Sequence, residues 1–325
     1  INGATFQQCS NIKSIIIPDS ISEIKQYAFY YCFKLKNLIF GENITTIEQN
    51  AFNSCHLSSS FSLPNKLTKI GANAFTGCDG ITILNIPNSV KTIKSGAFYG
   101  CSGITELTLS NNICDIEANT FYGCSAITNL SIPYGVTHIG SQAFKYCIKL
   151  TNITIPSTLT SIDKDAFYNC YGLKNVNYIG NIDSWCKIKF YDHTSTPLYY
   201  GGKLLINGEE VKNIIIPETV AEINGSLCCC NSISSVTILG GLTSIGNYMF
   251  YKCSNLTTVI IADSITSIGY SAFYGCSNLT RIDFDGTMSE WKAITKENGW
   301  NSVTGNYTVY CTDGKLDKND NEITD

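Results

Sequence analysis

The pentapeptide AFYGC occupies Ala97–Cys101 and returns unchanged at Ala272–Cys276, and a near copy, TFYGC, fills Thr120–Cys124. A cysteine in such a motif is compatible with a disulfide, a metal ligand, a nucleophile or a packed side chain. Spacing separates these possibilities, because the cysteines recur every 23 residues at Cys9, Cys32, Cys55, Cys78, Cys101, Cys124, Cys147 and Cys170, and again at Cys230, Cys253 and Cys276. A fixed period of this length is typical of stacked-repeat proteins.

The rest of the unit keeps the same period. Counting each cysteine as position 0, the unit that begins at Cys78 places its other recurring residues at Ile81, Leu84, Ile86, Pro87, Val90, Ile93, Ala97 and Phe98. Apolar residues at +6 and +8 alternate with polar neighbours, which predicts a strand with one buried face. Proline at +9 ends that strand because it has no N–H for a ladder. The four-residue step from +15 to +19 predicts a short helical or 3₁₀ turn.

Stacking is required because one unit cannot bury its own apolar face. The phenylalanine at +20 should then form a continuous inner column of Phe29, Phe52, Phe75, Phe98, Phe121, Phe144, Phe167, Phe250 and Phe273. The cysteines should all point the same way into the core, and a ladder offers no natural pairing. The period therefore predicts free, buried thiols that pack as small hydrophobic side chains.

The full pattern, C-x2-L-x2-L-x-I-P-x2-V-x2-I-x3-A-F, recurs in about twelve units and resembles the BspA-like class of leucine-rich repeat proteins. The resemblance implies an α/β repeat solenoid, a right-handed superhelix with a 23-residue repeat. It further implies a parallel β-sheet on the concave face and short helical or 3-10 turns on the convex face. Members of this family are mostly surface or secreted proteins of mucosal bacteria and some protozoan parasites, and several are implicated in adhesion to host proteins.

The period breaks twice, between Cys170 and Cys230 and again after Cys276. Two related segments, offset by 106 residues, share the landmarks Gly180, Trp185 and Ile188 in the first and Gly286, Trp291 and Ile294 in the second. Each predicts a short amphipathic helix with Asp183 or Ser289 near its N-cap. Hairpin turns are expected at Asn207–Gly208 and Asp313–Gly314.

These breaks divide the chain into four expected parts: an N-terminal repeat stack (1–178), an island with helix and hairpin (179–207), a second stack (208–285) and a C-terminal cap (286–325). Ile1 matches position +15, so the first unit starts part-way through. We expect further repeats and the secretion signal to precede it, and an open solenoid end that favours end-to-end association.

Composition argues against several functional classes. The net charge of −4 offers no basic field for nucleic acid, and no apolar run is long enough for membrane insertion. His56, His138 and His193 lie outside the repeat pattern and have no further ligands at the spacing of a metal site. We therefore expect no metal, no cofactor and no enzymatic activity.

Three adjacent cysteines, Cys228–Cys230, also need an explanation. We assign Cys230 to the repeat position and Cys228 to the phenylalanine position. Core packing is therefore favoured there over zinc or redox chemistry.

The remaining candidates for function are surface residues. Outward strand positions and the island contribute the possible partner-binding residues Glu106, Asn129, Asn152, Asn175, Asn177, Arg281, Asp283, Tyr191 and Tyr199. A broad surface of hydrogen-bonding groups suits either a protein ligand, namely a host extracellular or cell-surface protein, or a glycan. The resemblance favours adhesion to proteins by an extracellular or cell-surface bacterial module; the alternative is a carbohydrate-binding module with an aromatic or polar groove near the island. The tyrosines at +21 form either a stacking ladder or an aromatic binding strip.

Overall fold

The computed structural model describes residues 1–223 and 225–324. The chain forms two compact units, Ile1–Leu173 (the N-terminal unit) and Lys174–Asp325 (the C-terminal unit). In each unit successive coils are joined by parallel strand pairs, as the sequence pattern predicts. Each unit is therefore a parallel-strand β-solenoid.

The strands of the N-terminal unit are short, and most contain two or three residues. They are β1 (Ser14–Ile16), β2 (Glu23–Ile24), β3 (Asn37–Ile39), β4 (Thr46–Ile47), β5 (Lys69–Ile70), β6 (Ile83–Asn85), β7 (Thr92–Ile93), β8 (Glu106–Thr108), β9 (Asp115–Ile116), β10 (Asn129–Ser131), β11 (His138–Ile139), β12 (Asn152–Pro156) and β13 (Ser161–Ile162). Strands β1, β3, β6, β8, β10 and β12 pair as β1–β3, β6–β8 and β10–β12, and we call them the face strands of this unit. The two-residue strands pair as β2–β4–β5–β7 and β9–β11–β13.

The C-terminal unit contains both helices. Its elements are β14 (Asn175–Ile179), α1 (Ile182–Cys186), β15 (Lys189–Phe190), β16 (Lys203–Ile206), β17 (Glu209–Glu210), β18 (Asn213–Ile216), β19 (Ser235–Ile238), β20 (Ser244–Ile245), β21 (Thr258–Ile261), β22 (Ser267–Ile268), β23 (Arg281–Phe284), α2 (Met288–Ala293), β24 (Thr295–Lys296), β25 (Thr308–Cys311) and β26 (Gly314–Asp317). Its face strands are β14 and β16, then β18, β19, β21, β23 and β25. Antiparallel β16–β17 and β25–β26 are the two predicted hairpins.

Coil length is less uniform than the predicted 23-residue repeat. The paired strands of the N-terminal unit keep that step, as in Ser14 opposite Asn37. In the C-terminal unit Asn175 pairs with Lys203, a step of 28, and Arg281 pairs with Thr308, a step of 27. The longer coils are those that contain α1 and α2, so each helix is accommodated by lengthening its coil.

The predicted helical or 3₁₀ turns at the AFYGC corners are wrong, because the structure has non-helical turns there. Two residues of each corner, at +18 and +22, have left-handed backbone angles; in the first complete unit these are Tyr27 (φ 59°) and Tyr31 (φ 58°). Alternate backbone N–H groups bond the next coil, as in Phe29 N–H to the Ala51 carbonyl (2.8 Å), and those between them close single turns, as in Tyr30 N–H to the Tyr27 carbonyl (3.2 Å). A continuous helix has neither left-handed residues nor free N–H groups for a neighbour.

The phenylalanine column is confirmed. Ring centroids of consecutive phenylalanines from Phe6 to Phe167 lie 5.1 to 5.6 Å apart with nearly parallel planes. In the C-terminal unit Phe250 stacks on Phe273 at 5.2 Å, and Trp300 closes that column edge-on at 6.0 Å. The assignment of Cys228 to this column is wrong: the residue three positions before the repeat cysteine is Leu227, and it is fully buried.

The repeat cysteines are free thiols, and all but the half-exposed Cys9 are buried. From Cys32 to Cys170 each repeat thiol donates to the phenylalanine carbonyl of the preceding coil, as in Cys101 Sγ to Phe75 O at 3.1 Å, and Cys253 and Cys276 donate to the equivalent Leu227 and Phe250 carbonyls. Burial raises the pKa of Cys101 to about 12, so the neutral thiol is retained. The cysteine side chain therefore packs as an apolar group and also donates a hydrogen bond to a backbone carbonyl. Without the thiol, that carbonyl would accept only one hydrogen bond. We call this row the cysteine ladder.

Among the described residues, neither helix is long or apolar enough to cross a bilayer.

Candidate functional site

Outward side chains of the face strands form the first candidate surface of the N-terminal unit. Strand residues alternate between exposed and buried, so Glu106, Asn129 and Asn152 point into solvent while their neighbours pack inside. The Asn152 side chain donates to the Asn129 amide oxygen at 2.7 Å, which orders both amides across adjacent coils. The structure thus places these three predicted residues on one face of one unit.

The same surface carries exposed isoleucines near the start of the chain. Ile16 and Ile39 are 70% and 58% exposed and lie directly opposite each other in the β1–β3 pair. Residues 59–62 of the coil between β3 and β6 form no strand, and a pocket of about 400 Å³ lies there against Phe61 and Ile83. Adjacent apolar side chains exposed on a strand face are typical of a surface that a partner covers.

A second pocket of about 820 Å³ borders this surface. Lys13, Lys34, Lys36 and the exposed ring of Phe33 line it together with His56. The histidine Nδ1 lies 2.6 Å from the Asp79 carboxylate, across one coil. The sequence pattern placed His56 outside the repeat and gave it no partner. The available signal for this pocket was the clustering of the lysines Lys13, Lys34 and Lys36 at +2 and +4 of consecutive units.

The face strands of the C-terminal unit carry a charged and aromatic group. Arg281 Nη2 lies 2.7 Å from Asp283 Oδ1, and the guanidinium stacks 4.1 Å from the ring centroid of Tyr310. The predicted Asn175 and Asn177 are half-buried on β14, and the Asn177 oxygen accepts the Gly208 N–H of the hairpin at 2.8 Å. Asn177 therefore supports the hairpin, while Arg281 and Asp283 remain accessible.

The island begins with α1, whose position follows from local sequence. Asn181 caps it in a reciprocal capping box with Ser184. Trp185 packs edge-on against Tyr178 at 5.3 Å. Gly180 is required because a Cβ there would lie 2.6 Å from the Tyr178 ring.

The C-terminal segment repeats this arrangement, as the 106-residue offset predicts. Thr287 caps α2, and Trp291 packs on Phe284 at 5.4 Å. A Cβ on Gly286 would lie 2.5 Å from the Phe284 ring. The capping residues are Asn181 and Thr287, each two positions before the residue that the sequence pattern indicated.

An aromatic cluster lies beside the island, and sequence reasoning found only part of it. His193 stacks on Tyr248 at 3.9 Å between centroids and 13° between planes, with Tyr199 and Tyr251 edge-on at 5.9 and 5.8 Å. Burial lowers the pKa of His193, although the Asp192 charge opposes this. The predicted Tyr199 belongs to this cluster and is half-buried.

Two pockets open at the aromatic cluster. One of about 310 Å³ is lined by Tyr191, His193 and Tyr248, and Tyr191 itself is 67% exposed. The other, of about 390 Å³, is lined by Tyr199, Cys229 and neighbours. Among the +21 tyrosines elsewhere, Tyr99 and Tyr122 stack at 4.4 Å. Aromatic faces are thus displayed both along the corners and around the island.

No group of three or more His, Cys, Asp or Glu side chains in residues 1–223 and 225–324 is arranged to hold a metal ion. The accessible chemistry of the described surface is hydrogen bonding, aromatic stacking and charge pairing.

Comparison with known proteins bears on this geometry. The family model described as "BspA type Leucine rich repeat region" matches in six copies, over residues 1–91, 68–196 and 204–297. No curated protein matches. A leucine-rich repeat protein from Bacteroides ovatus is 23% identical, with 95% of this chain and 86% of that chain covered and a TM-score of 0.58. This likeness concerns the fold alone.

Two further solved structures are similar at lower TM-scores. A leucine rich cell surface protein from Faecalibacterium prausnitzii is 22% identical over 92% of this chain and 86% of that chain, with a TM-score of 0.41. A leucine-rich repeat protein from Eubacterium ventriosum is 18% identical over 93% and 79%, with a TM-score of 0.42.

Proposed function

The chain belongs to the BspA-type leucine-rich repeat family, and on that premise we propose that it is a cell-surface or secreted recognition module that adheres to host or other cell-surface proteins. Proteins of this family are typically interaction modules rather than enzymes. The site is the face-strand surface of the N-terminal unit, with Glu106, Asn129 and Asn152 as its polar part. Arg281 and Asp283 are contact residues of the C-terminal unit.

One observation carries this proposal: Ile16 and Ile39 lie side by side on a strand face with most of their side-chain surface in water. Both are core-type residues placed where they contribute nothing to the core. Protein interfaces combine an apolar centre with a polar rim, and the asparagines and lysines around these isoleucines fit that rim. Covering both side chains would contribute about 2–4 kcal/mol to binding.

The test is binding to a panel of immobilised extracellular-matrix and cell-surface proteins. Ile16→Asn with Ile39→Asn should weaken binding at least about tenfold if these side chains are anchors. Tyr134→Asn is the matched control, because Tyr134 is 74% exposed in a turn outside the face strands of the same unit. Equal binding by the double variant, or no binding to any protein of the panel by the unmodified chain, would refute the proposal.

The aromatic cluster supports a second candidate, a carbohydrate-binding module at the island. Tyr191 presents an exposed ring beside the pocket of about 310 Å³ that His193 and Tyr248 line. Sugar rings have apolar C–H faces that stack on such side chains, and a few polar groups set their orientation. A glycan array separates the candidates: selective glycan binding that Tyr191→Ala abolishes, without protein binding, favours this one.

A further inference from the structure

The corner Leu227–Cys230 departs from all the AFYGC corners. Leu227 takes the column position and Cys230 the ladder position. Cys228 therefore stands where the AFYGC corners have tyrosine, and Cys229 has the left-handed backbone (φ 59°) that Gly100 has in AFYGC. Neither of these two cysteines is needed by the ladder, so the repeat does not explain them.

The two extra thiols are in contact. Their Sγ atoms are 3.5 Å apart, and both residues are buried, with Cys229 4% exposed. Ladder thiols such as Cys253 donate to a carbonyl of the coil before, at 3.1 Å from Leu227 O in this case. The thiol of Cys228 instead bonds the neighbouring thiol. The geometry is that of a vicinal dithiol.

The surroundings distinguish the two sulfurs. Cys229 lines the pocket of about 390 Å³ together with Tyr199, Tyr200 and Lys252. The hydrogen bond with Cys228 is the main effect that lowers the pKa of Cys229. The positive charge of Lys252 also lowers this pKa, whereas burial acts to raise it. Burial raises the pKa of Cys228 well above its usual range. Cys229 is the sulfur of the pair that lines the pocket, and a thiolate is the nucleophile in exchange chemistry, so Cys229 is placed to be the attacking sulfur.

The corner is also held in place. The Trp185 indole N–H donates to the Ser226 carbonyl at 3.1 Å, and the Cys229 N–H donates to the Tyr251 carbonyl at 2.6 Å. These bonds anchor the corner to α1 on one side and to the next coil on the other. The two sulfurs are therefore held together at the edge of a pocket. Their position does not depend on a partner bound to the face strands.

We propose that Cys228 and Cys229 form a redox-active dithiol that exchanges with small-molecule disulfides entering this pocket. The Cys229 thiolate attacks one sulfur of the disulfide, and the first thiolate leaves. Cys228 then gives its proton to that thiolate and attacks Cys229 Sγ, releasing a second thiolate that takes up the proton Cys229 lost. One Cys228–Cys229 disulfide forms, two small-molecule thiols are released, and two electrons pass to the added disulfide.

The first experiment treats the native chain with oxidised glutathione, followed by tryptic mass spectrometry under non-reducing conditions. The peptide that contains Cys228–Cys230 should lose two hydrogen atoms, and dithiothreitol should restore them. Cys228→Ser removes the second attacking thiol, so this variant should accumulate one glutathionyl group on Cys229. The glutathionyl group is detected as a gain in peptide mass. The result counts only if the circular dichroism spectrum of the variant matches that of the unmodified chain, which shows that the variant is folded.

Phenylarsine oxide, which bridges paired thiols, is the second probe. We expect one equivalent per native chain, and none for Cys229→Ser. Cys253→Ser is the matched control, since it removes a buried ladder thiol and should keep the full equivalent. The lone exposed Cys114 should react with iodoacetamide but not with the arsenical. Unchanged peptide mass after glutathione treatment, or arsenical uptake that survives Cys229→Ser, would overturn the proposal.

Discussion

Removing one ring from the phenylalanine column tests the packing of the N-terminal unit. Phe98 is fully buried, with ring centroids 5.4 Å from Phe75 and 5.6 Å from Phe121. Truncation of a buried phenylalanine to alanine costs about 3–5 kcal/mol. We expect the cost of Phe98→Ala in free energy of unfolding to lie in the upper half of that range. Two stacked ring contacts are lost together, and the hydrogen bonds between paired strands keep the neighbouring coils from closing the cavity.

The assay is equilibrium urea unfolding of the full chain, followed by far-ultraviolet circular dichroism and by tryptophan fluorescence. All three tryptophans, Trp185, Trp291 and Trp300, lie in the C-terminal unit. Loss of dichroism without loss of the tryptophan signal therefore locates the unfolding in the N-terminal unit. The urea midpoint of the dichroism transition should fall, with its slope unchanged.

Phe98→Leu is the matched control, because Leu227 fills the equivalent position in another coil. We expect it to cost about 1–2 kcal/mol, since leucine retains most of the buried apolar surface. A cost below about 1 kcal/mol for Phe98→Ala, or equal costs for both variants, would refute the column as the core of this unit.

Three further predictions concern single groups. In native protein at pH 8, iodoacetamide should modify Cys114 and leave Cys101 intact, since burial raises the pKa of Cys101 to about 12; peptide mapping measures both. Burial lowers the pKa of His193, so the unfolded chain binds its proton first as the pH falls through about 6.5. The free energy of unfolding should therefore decrease from pH 7 to pH 5, and His193→Phe should reduce that decrease in urea titrations. Gly180→Ala should cost about 1–3 kcal/mol, since its Cβ would meet a ring at 2.6 Å, whereas Gly240→Ala, with nothing within 4 Å, should be nearly neutral in the same titration.

The stack could be predicted because its determinants recur. A residue that returns at each coil meets its own copies when parallel strands pair, and strand spacing in a sheet is about 4.7–4.9 Å. The phenylalanine column and the cysteine ladder follow directly from this. The two capped helices were also predictable, since Gly180, Trp185 and their copies at Gly286 and Trp291 share one spacing.

The corners were mispredicted for an identifiable reason. The four-residue apolar step between +15 and +19 is shared by a helix and by a turn that bonds its neighbouring coil. The left-handed angles fall on glycine in some coils, such as Gly96 and Gly100, but on non-glycine residues such as Tyr27, Asn50 and Gln142 in others, so glycine does not mark the turn consistently in the sequence. Only the bonds to the next coil, such as Phe29 to Ala51, decide between the two.

The sequence alone determined the periodic part of this protein: the parallel-strand coils, the buried thiols and the family. Tertiary structure alone decided which non-repeating side chains meet. His193 and Tyr248 are 55 positions apart in sequence and stack at 3.9 Å, and His56 reaches Asp79 one coil away. The physical reason is that a residue at a repeated position packs against the equivalent residue of the next coil, which the period alone specifies. A contact between non-repeating residues depends on the length of the coils and the geometry of the corners between them.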